Sequence, residues 1–180
     1  MASQYSRETC LHFPENISRE YFASWFSGFT DGEGHLGLYK QKYGNYYRRR
    51  CTFAINLRSD DSYILELTQS FFECGMFLPL KKCSGKGKKP QSVFYVVNLR
   101  ELAEIIIPHF DKHPLLAKKI HDYSIWRQGV LLAYKVFNNK NKKAPWPEED
   151  KVKFDSLVFM LKSQRKFKVN DGDTAAAKSP

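Results

Sequence analysis

Apolar positions along the chain change period several times, and each change predicts an element. From Ser18 to Gly34 (SREYFASWFSGFTDGEG) the aromatics Phe22, Trp25, Phe26 and Phe29 recur at helical spacing, while Ser24, Ser27, Gly28 and Asp31 fall across the wheel. A helix with an aromatic anchor and a nearly bare opposite face is predicted, capped by Ser18. After Gly34 the period shortens to two. His35 to Gln41 and Tyr47 to Leu57 alternate on either side of Tyr43-Gly44-Asn45, which predicts a hairpin. Leu36, Leu38, Cys51, Phe53 and Ile55 would face the core, leaving His35, Gly37, Tyr39, Gln41, Arg48, Arg50, Thr52 and Ala54 outside.

The order then repeats. Ser59-Asp60-Asp61 caps a predicted helix that buries Ile64, Leu67, Phe71 and Phe72 and closes at Gly75. Met76 to Lys82 and Val93 to Asn98 predict a second hairpin around a loop rich in glycine and lysine, which lacks the spacing of a nucleotide-binding P-loop. Leu99 to Ile107 reads as a short helix stopped by Pro108. A longer helix is predicted from Leu115 to about Phe137, with Leu116, Ile120, Tyr123, Arg127, Val130 and Tyr134 roughly periodic. The class is therefore α+β in the order α-β-β-α-β-β-α, with a last helix from Glu148 to Arg165. Residues 1–16 are expected to be a flexible lead, 17–165 one domain and 166–180 a tail with little to bury.

Composition narrows the partners. With 180 residues, 42% hydrophobic and 15% aromatic, the chain has enough apolar material for one core. No apolar run approaches the length of a membrane span and no signal-peptide pattern opens the chain, so a soluble intracellular protein, not secreted and with no membrane partner, is expected. The four cysteines form no C-x-x-C pair. His109 and His113 have the spacing of a metal pair on a helix, but Pro108 and Pro114 argue against a regular helix there. The net charge of +10 is uneven, at −3 over residues 1–39, +7 over 40–98 and +6 over 99–180. A basic field with tyrosines beside Arg48-Arg49-Arg50 favours nucleic acid. Arg48 and Arg50 are the candidates for guanine contacts, Tyr39 and Gln41 further readers, and Lys82, Lys86 and Lys88 phosphate contacts.

The first helix ends in Asp31-Gly32-Glu33-Gly34, two acids where the helix dipole disfavours negative charge. That placement invites a cation, and a carboxylate with a backbone carbonyl suits Mg²⁺. Read alone, such a tetrapeptide is more often a polar turn. The whole stretch Phe26-Ser27-Gly28-Phe29-Thr30-Asp31-Gly32-Glu33-Gly34, followed by His35-Leu36-Gly37-Leu38-Tyr39, resembles the motif of the LAGLIDADG homing endonucleases. It departs in Ser27, where alanine is commonest, and in Glu33 for the more usual aspartate. Ile107 to Lys119 resembles the family's weaker second motif, so the resemblance covers about residues 17–137.

The resemblance implies a curved four-stranded antiparallel sheet lying on DNA with helices behind it. It further implies that Glu33 is the catalytic metal-binding acid, that the Gly32 carbonyl joins it on Mg²⁺ (with Mn²⁺ able to substitute), and that Asp31 is mainly structural. Lys118 and Lys119 are the family-based candidates to offset developing charge. A glutamine common in the family near the end of the second strand aligns here with Leu57 or Asn56. One motif copy supplies one catalytic acid, so cutting two strands calls for a homodimer, with Ser24, Ser27, Gly28 and Asp31 as seam candidates. The target of double-stranded DNA is then expected to be near-palindromic and about 16 to 22 base pairs long. The expected activity is site-specific endonuclease cleavage that promotes intron or intein mobility, in an organelle or the cytoplasm. An intron-RNA splicing helper and a catalytically inactive DNA-binding protein of the same fold are the alternatives.

Overall fold

The computed structural model describes residues 13–44, 46–81, 90–138 and 145–165. The elements are α1 (Arg19–Glu33), β1 (Gly34–Tyr43), β2 (Tyr46–Arg58), α2 (Ser62–Phe72), β3 (Met76–Lys81), β4 (Gln91–Val96), α3 (Leu99–Glu101), α4 (Ile107–Lys112), α5 (Lys119–Asn138) and α6 (Glu148–Gln164). All strand pairs are antiparallel, in the order β1-β2-β4-β3. The α+β class, the element order and the four-stranded antiparallel sheet are as expected. Lys82, Lys86 and Lys88 lie outside the described residues.

The helices cover one face of the sheet. Leu36, Leu38, Cys51, Phe53, Ile55, Phe94 and Val96 point into the core, as the alternation predicts. Phe26 of α1 is fully buried and joins the layers, with ring centroids 6.2 Å from Phe53, 5.1 Å from Phe72 and 6.2 Å from Phe110. Gly129 lets α5 cross β1 closely, since a Cβ there would come within 2.6 Å of a Leu38 methyl. The last helix belongs to the same core through Phe154, Leu157, Val158 and Leu161. Asp155 of α6 also receives Lys40 at 2.7 Å and Arg49 at 2.8 Å.

Several local expectations fail for identifiable reasons. Ser18 does cap α1, accepting from the Tyr21 N–H at 3.3 Å, but the buried face is Phe22, Ala23, Phe26, Ser27 and Thr30. Trp25 and Phe29 are only partly buried and stack on each other with centroids 4.9 Å apart. The helix is therefore rotated from the aromatic-inward placement, because α4 packs beside it and takes the small side chains. In α2 the buried residues are Leu65, Leu67, Thr68 and Phe72, and Asp61 makes no side-chain cap. A short 3₁₀ turn, Ser59–Asp61, precedes this helix and shifts its phase.

Pro108 does not stop its helix. α3 runs through a π-helical turn, Leu102–Ile106, into α4, and the Ile107 N–H reaches back to the Leu102 carbonyl. Widening the turn before the proline accommodates a ring that would otherwise clash with the preceding carbonyl. His109 and His113 consequently share one helical face, with ring centroids 5.3 Å apart. Neither closes a metal site, since no group of three or more His, Cys, Asp or Glu side chains occurs among the described residues.

His109 instead fills an aromatic niche, 4.9 Å from the Phe72 ring and 5.6 Å from Phe26, with the Ser27 Oγ 3.4 Å from its Nε2. Burial, reinforced by His113 and Lys112, pushes its pKa down to about 4. The unfolded chain takes up this proton below about pH 6.5, whereas the folded protein resists it until about pH 4, so stability is lost as pH is lowered through that window. Unfolding in urea should show about 2 kcal/mol lost between pH 7 and pH 5 from this group. His109→Phe is expected to flatten that part of the pH profile; an unchanged slope would assign it to other groups.

Candidate active site and nucleic-acid face

The end of α1 is built by two contacts from distant sequence. Asp31 Oδ2 accepts the Leu116 N–H at 2.8 Å and the Ala117 N–H at 3.1 Å, which fixes the chain entering α5. That capture shortens α5, which starts at Lys119 and not at Leu115. Leu115 is buried, and Leu116, assigned to the apolar stripe by periodicity, is 87% exposed. Removing the acceptor by Asp31→Ala should cost about 2 kcal/mol of stability, whereas Asp31→Asn retains part of it. Equal losses for the two variants in urea melts would contradict this assignment.

Lys119 then reaches the carbonyl end of α1. Its Nζ donates to the carbonyls of Thr30 at 2.8 Å, Gly34 at 2.7 Å and Gly32 at 3.2 Å. The Thr30 carbonyl also accepts the Gly34 N–H, so the ammonium joins acceptors at and just past the helix terminus, where the dipole favours a cation. Burial depresses the Lys119 pKa, opposed by Asp31, Asp122 and Glu33. Lys119 thus lies at the acidic motif, engaged with backbone carbonyls. Lys118 lies on the exposed side. Gly34 permits the tight exit, because a Cβ there would collide with Thr30.

Glu33 is exposed at the junction of α1 and β1. Its carboxylate and the Gly32 carbonyl are hard oxygen donors and fit Mg²⁺. The carbonyl retains a second lone pair beside the Lys119 contact, which is the longest of the three. One carboxylate leaves most of the coordination sphere to water and substrate, the usual condition for this ion.

The seam candidates divide into two pairs. Ser24 and Gly28 are exposed, and no atom lies within 4 Å of a Cβ built on Gly28. Ser27 is buried within its own chain, where its hydroxyl donates to the His113 carbonyl at 2.7 Å. Asp31 faces the start of α5, as described. Neither Ser27 nor Asp31 can therefore line the open face, and Tyr21, at 69% exposure, takes a place there that the wheel did not give it.

Beyond Glu33 the other face of the sheet is covered by none of the helices among the described residues. Cross-strand partners Tyr39 with Arg50, Gln41 with Arg48, Gly37 with Thr52 and His35 with Ala54 share that outer face, which is the predicted set of readers. Tyr39 folds back over Gly37, its hydroxyl 2.7 Å from His35 Nε2. Burial, then Arg165 and Lys119, lower the His35 pKa and keep the ring neutral at pH 7. The pleat splits the arginine run, so that Arg49 turns to the helix side, bonds Asp155 and lies over Trp146 at 5.4 Å. Asn56 and Arg58 extend the outer row of β2, as does Tyr95 opposite Ala54 on β4. The same two-residue period would have found Asn56 and Arg58. Arg165, which donates to Asp122 at 2.7 Å and to the Leu36 carbonyl at 2.7 Å, had no local signal, since 129 positions separate it from Leu36.

Comparison with known proteins agrees with this arrangement. A sequence profile described as LAGLIDADG endonuclease matches residues 26–130. The chain is 29% identical over 145 residues to the probable intron-encoded endonuclease Cox1-I1b of Schizosaccharomyces pombe, covering 78% of this chain and 35% of that protein. It is 26% identical over 108 residues to the homing endonuclease I-ApeII of Aeropyrum pernix, covering 59% and 61% of the two chains. Its fold is similar to the I-SmaMI LAGLIDADG homing endonuclease bound to cleaved DNA, with TM-score 0.65, 23% identity, and 79% of this chain aligned to 44% of that one. The meganuclease I-AabMI bound to uncleaved DNA gives TM-score 0.58 at 26% identity, over 76% and 43% of the chains. The chain thus spans about a third of the first of these relatives and under half of the solved structures. With the profile matching from within α1 through most of α5, this chain belongs to the LAGLIDADG endonuclease family.

Proposed function

We propose that the protein is a site-specific DNA endonuclease that acts as a homodimer and hydrolyses both strands of a long, near-palindromic duplex with Mg²⁺, or Mn²⁺ in its place. The observation that carries this reading is the position of Glu33. It is exposed where α1 hands over to β1, and the outer face of that strand and its neighbour presents Tyr39, Gln41, Arg48 and Arg50. A sheet laid in the major groove through these side chains brings the carboxylate to the phosphate backbone.

Each residue then has a definite task. Arg48 and Arg50 can bond two acceptors on a guanine edge, and Tyr39, Gln41, Thr52 and His35 supply single contacts around them. Lys82, Lys86 and Lys88, which fall between β3 and β4 in sequence, are the candidates for further phosphate contacts. Glu33, with the Gly32 carbonyl, would hold the metal. When bound, the ion activates water and stabilises the leaving oxygen. Lys119 compensates the negative end of α1, so that the acid and the carbonyls are held in place, and Lys118 is the candidate to meet the phosphate. The exposed face of α1, with Ser24 and Gly28, forms the seam that sets two copies of Glu33 on opposed strands.

The reading extends to intron mobility and residence in an organelle, supported by likeness to a relative named as a probable intron-encoded endonuclease, and no helix among the described residues is long and apolar enough to cross a membrane. Selective binding of the duplex followed by metal-dependent cleavage tests the reading. Tight binding of intron RNA without cleavage of any duplex would favour the splicing helper instead.

A further inference from the structure

The outer face of the sheet is chemically divided. On β1 and β2 it carries Tyr39, Gln41, Arg48 and Arg50, whereas on β3 and β4 it carries Met76, Leu78 and Tyr95 around Val93, which is itself buried, with Ala54 and Asn56 of β2 completing the rows. Register places His35, Ala54, Tyr95 and Met76 in one row and Asn56, Val93 and Leu78 in the next. Among the described residues these two rows carry no Lys, Arg, Asp or Glu, His35 lies at their margin, and the exposed Arg58 of β2, opposite Gln91 on β4, bounds them in the next row. Met76 is 45% exposed, Leu78 and Tyr95 are partly exposed, and the Tyr95 hydroxyl lies 3.3 Å from the Met76 sulfur.

An apolar sheet face turned away from its own core calls for a partner. The partner is argued by continuity, because this surface lies in the same sheet as the arginine rows. Strands are about 4.8 Å apart, so the patch lies roughly one groove width across from β1. Along β2, Ala54 lies four residues from Arg50, about 13 Å or about 4 base pairs nearer the level of Glu33. The major groove offers one apolar group at a base edge, the C5 methyl of thymine.

Resting on the endonuclease reading, we infer that Met76, Leu78 and Tyr95 form a thymine-methyl reading patch, so that each half-site carries A·T pairs inward of the guanines met by Arg48 and Arg50. The patch determines specificity and takes no part in the chemistry.

The test uses the whole wild-type protein. Targets are selected from a randomised duplex library in Ca²⁺, and each inner thymine of the selected site is then replaced by deoxyuridine, which lacks only the methyl group. About two- to five-fold weaker binding per inner replacement is expected, with no effect when thymines outside the inner positions are replaced. A Met76→Gln, Leu78→Thr variant should bind thymine and uracil duplexes equally, whereas Arg50→Gln should keep the discrimination. Inner positions rich in G·C, or wild-type binding indifferent to deoxyuridine, would overturn the patch while leaving the endonuclease reading intact. Failure to enrich any duplex would overturn both.

Discussion

A Glu33→Gln chain is expected to bind its DNA target at least as tightly as wild type and to cleave it at least about 10³-fold more slowly. Glutamine keeps the size and one carbonyl oxygen but loses the charge that holds a divalent ion. Stabilisation of the reacting phosphate by a metal contributes several kcal/mol, and each 1.36 kcal/mol is tenfold in rate. The side chain is exposed, so the change removes no core contact and the fold should persist. Binding should strengthen slightly, because a negative charge beside the phosphates is gone. Gel-shift affinity in Ca²⁺ measured beside single-turnover cleavage in Mg²⁺ separates the two effects. Cleavage within tenfold of wild type would remove Glu33 from the chemistry.

The second large effect is expected at the open face of α1. Gly28→Arg should leave the folded chain as stable as wild type, since open space surrounds the Cβ position and glycine is a poor helix former. In a dimer closed through this face, the same side chain would force the helices apart and bury an unpaired charge. Overpacking costs about 1–3 kcal/mol and an uncompensated buried charge about 3–5 kcal/mol, so the dissociation constant should rise at least about 10³-fold. Sedimentation should then show monomer, and double-strand cleavage should disappear while circular dichroism is unchanged. A dimer that persists in the variant would place the seam elsewhere.

These two expectations rest on parts of the sequence that were legible to different degrees. The strands were read with the correct face inward because one side of each is buried, and a one-residue slip would have exposed Leu36, Leu38, Phe53 and Ile55 together. The outer readers followed from the same alternation. The facing of α1 was not legible, because nearly every position carries either an aromatic or a small residue and the choice between faces belongs to α4. Pro108 misled for a related reason: the π-helical turn that accommodates it leaves no mark in the apolar spacing.

At the site, the acidic motif marked the place but not its wiring. Glu33 stands exposed as the motif suggested, whereas Lys119 is held by three carbonyls and Asp31 by the chain entering α5. Both contacts span more than eighty residues, beyond the reach of any local pattern. They give the crowded end of the motif a physical basis here: a cation for the helix terminus and an acceptor for the next helix's approach. The basic excess after residue 39 likewise divides in the fold, with Arg48 and Arg50 offered outward and Arg49 and Lys40 joined to Asp155.

The central claim is that two copies of this chain cut both strands of one duplex with a divalent ion. It is tested most directly by incubating the purified protein with a plasmid library in Mg²⁺ or EDTA and sequencing the ends formed. Discrete double-strand breaks at one long, near-palindromic site, present with Mg²⁺ and absent with EDTA, are expected. Breaks that persist in EDTA, or tight duplex binding with no break in any library member, would contradict it.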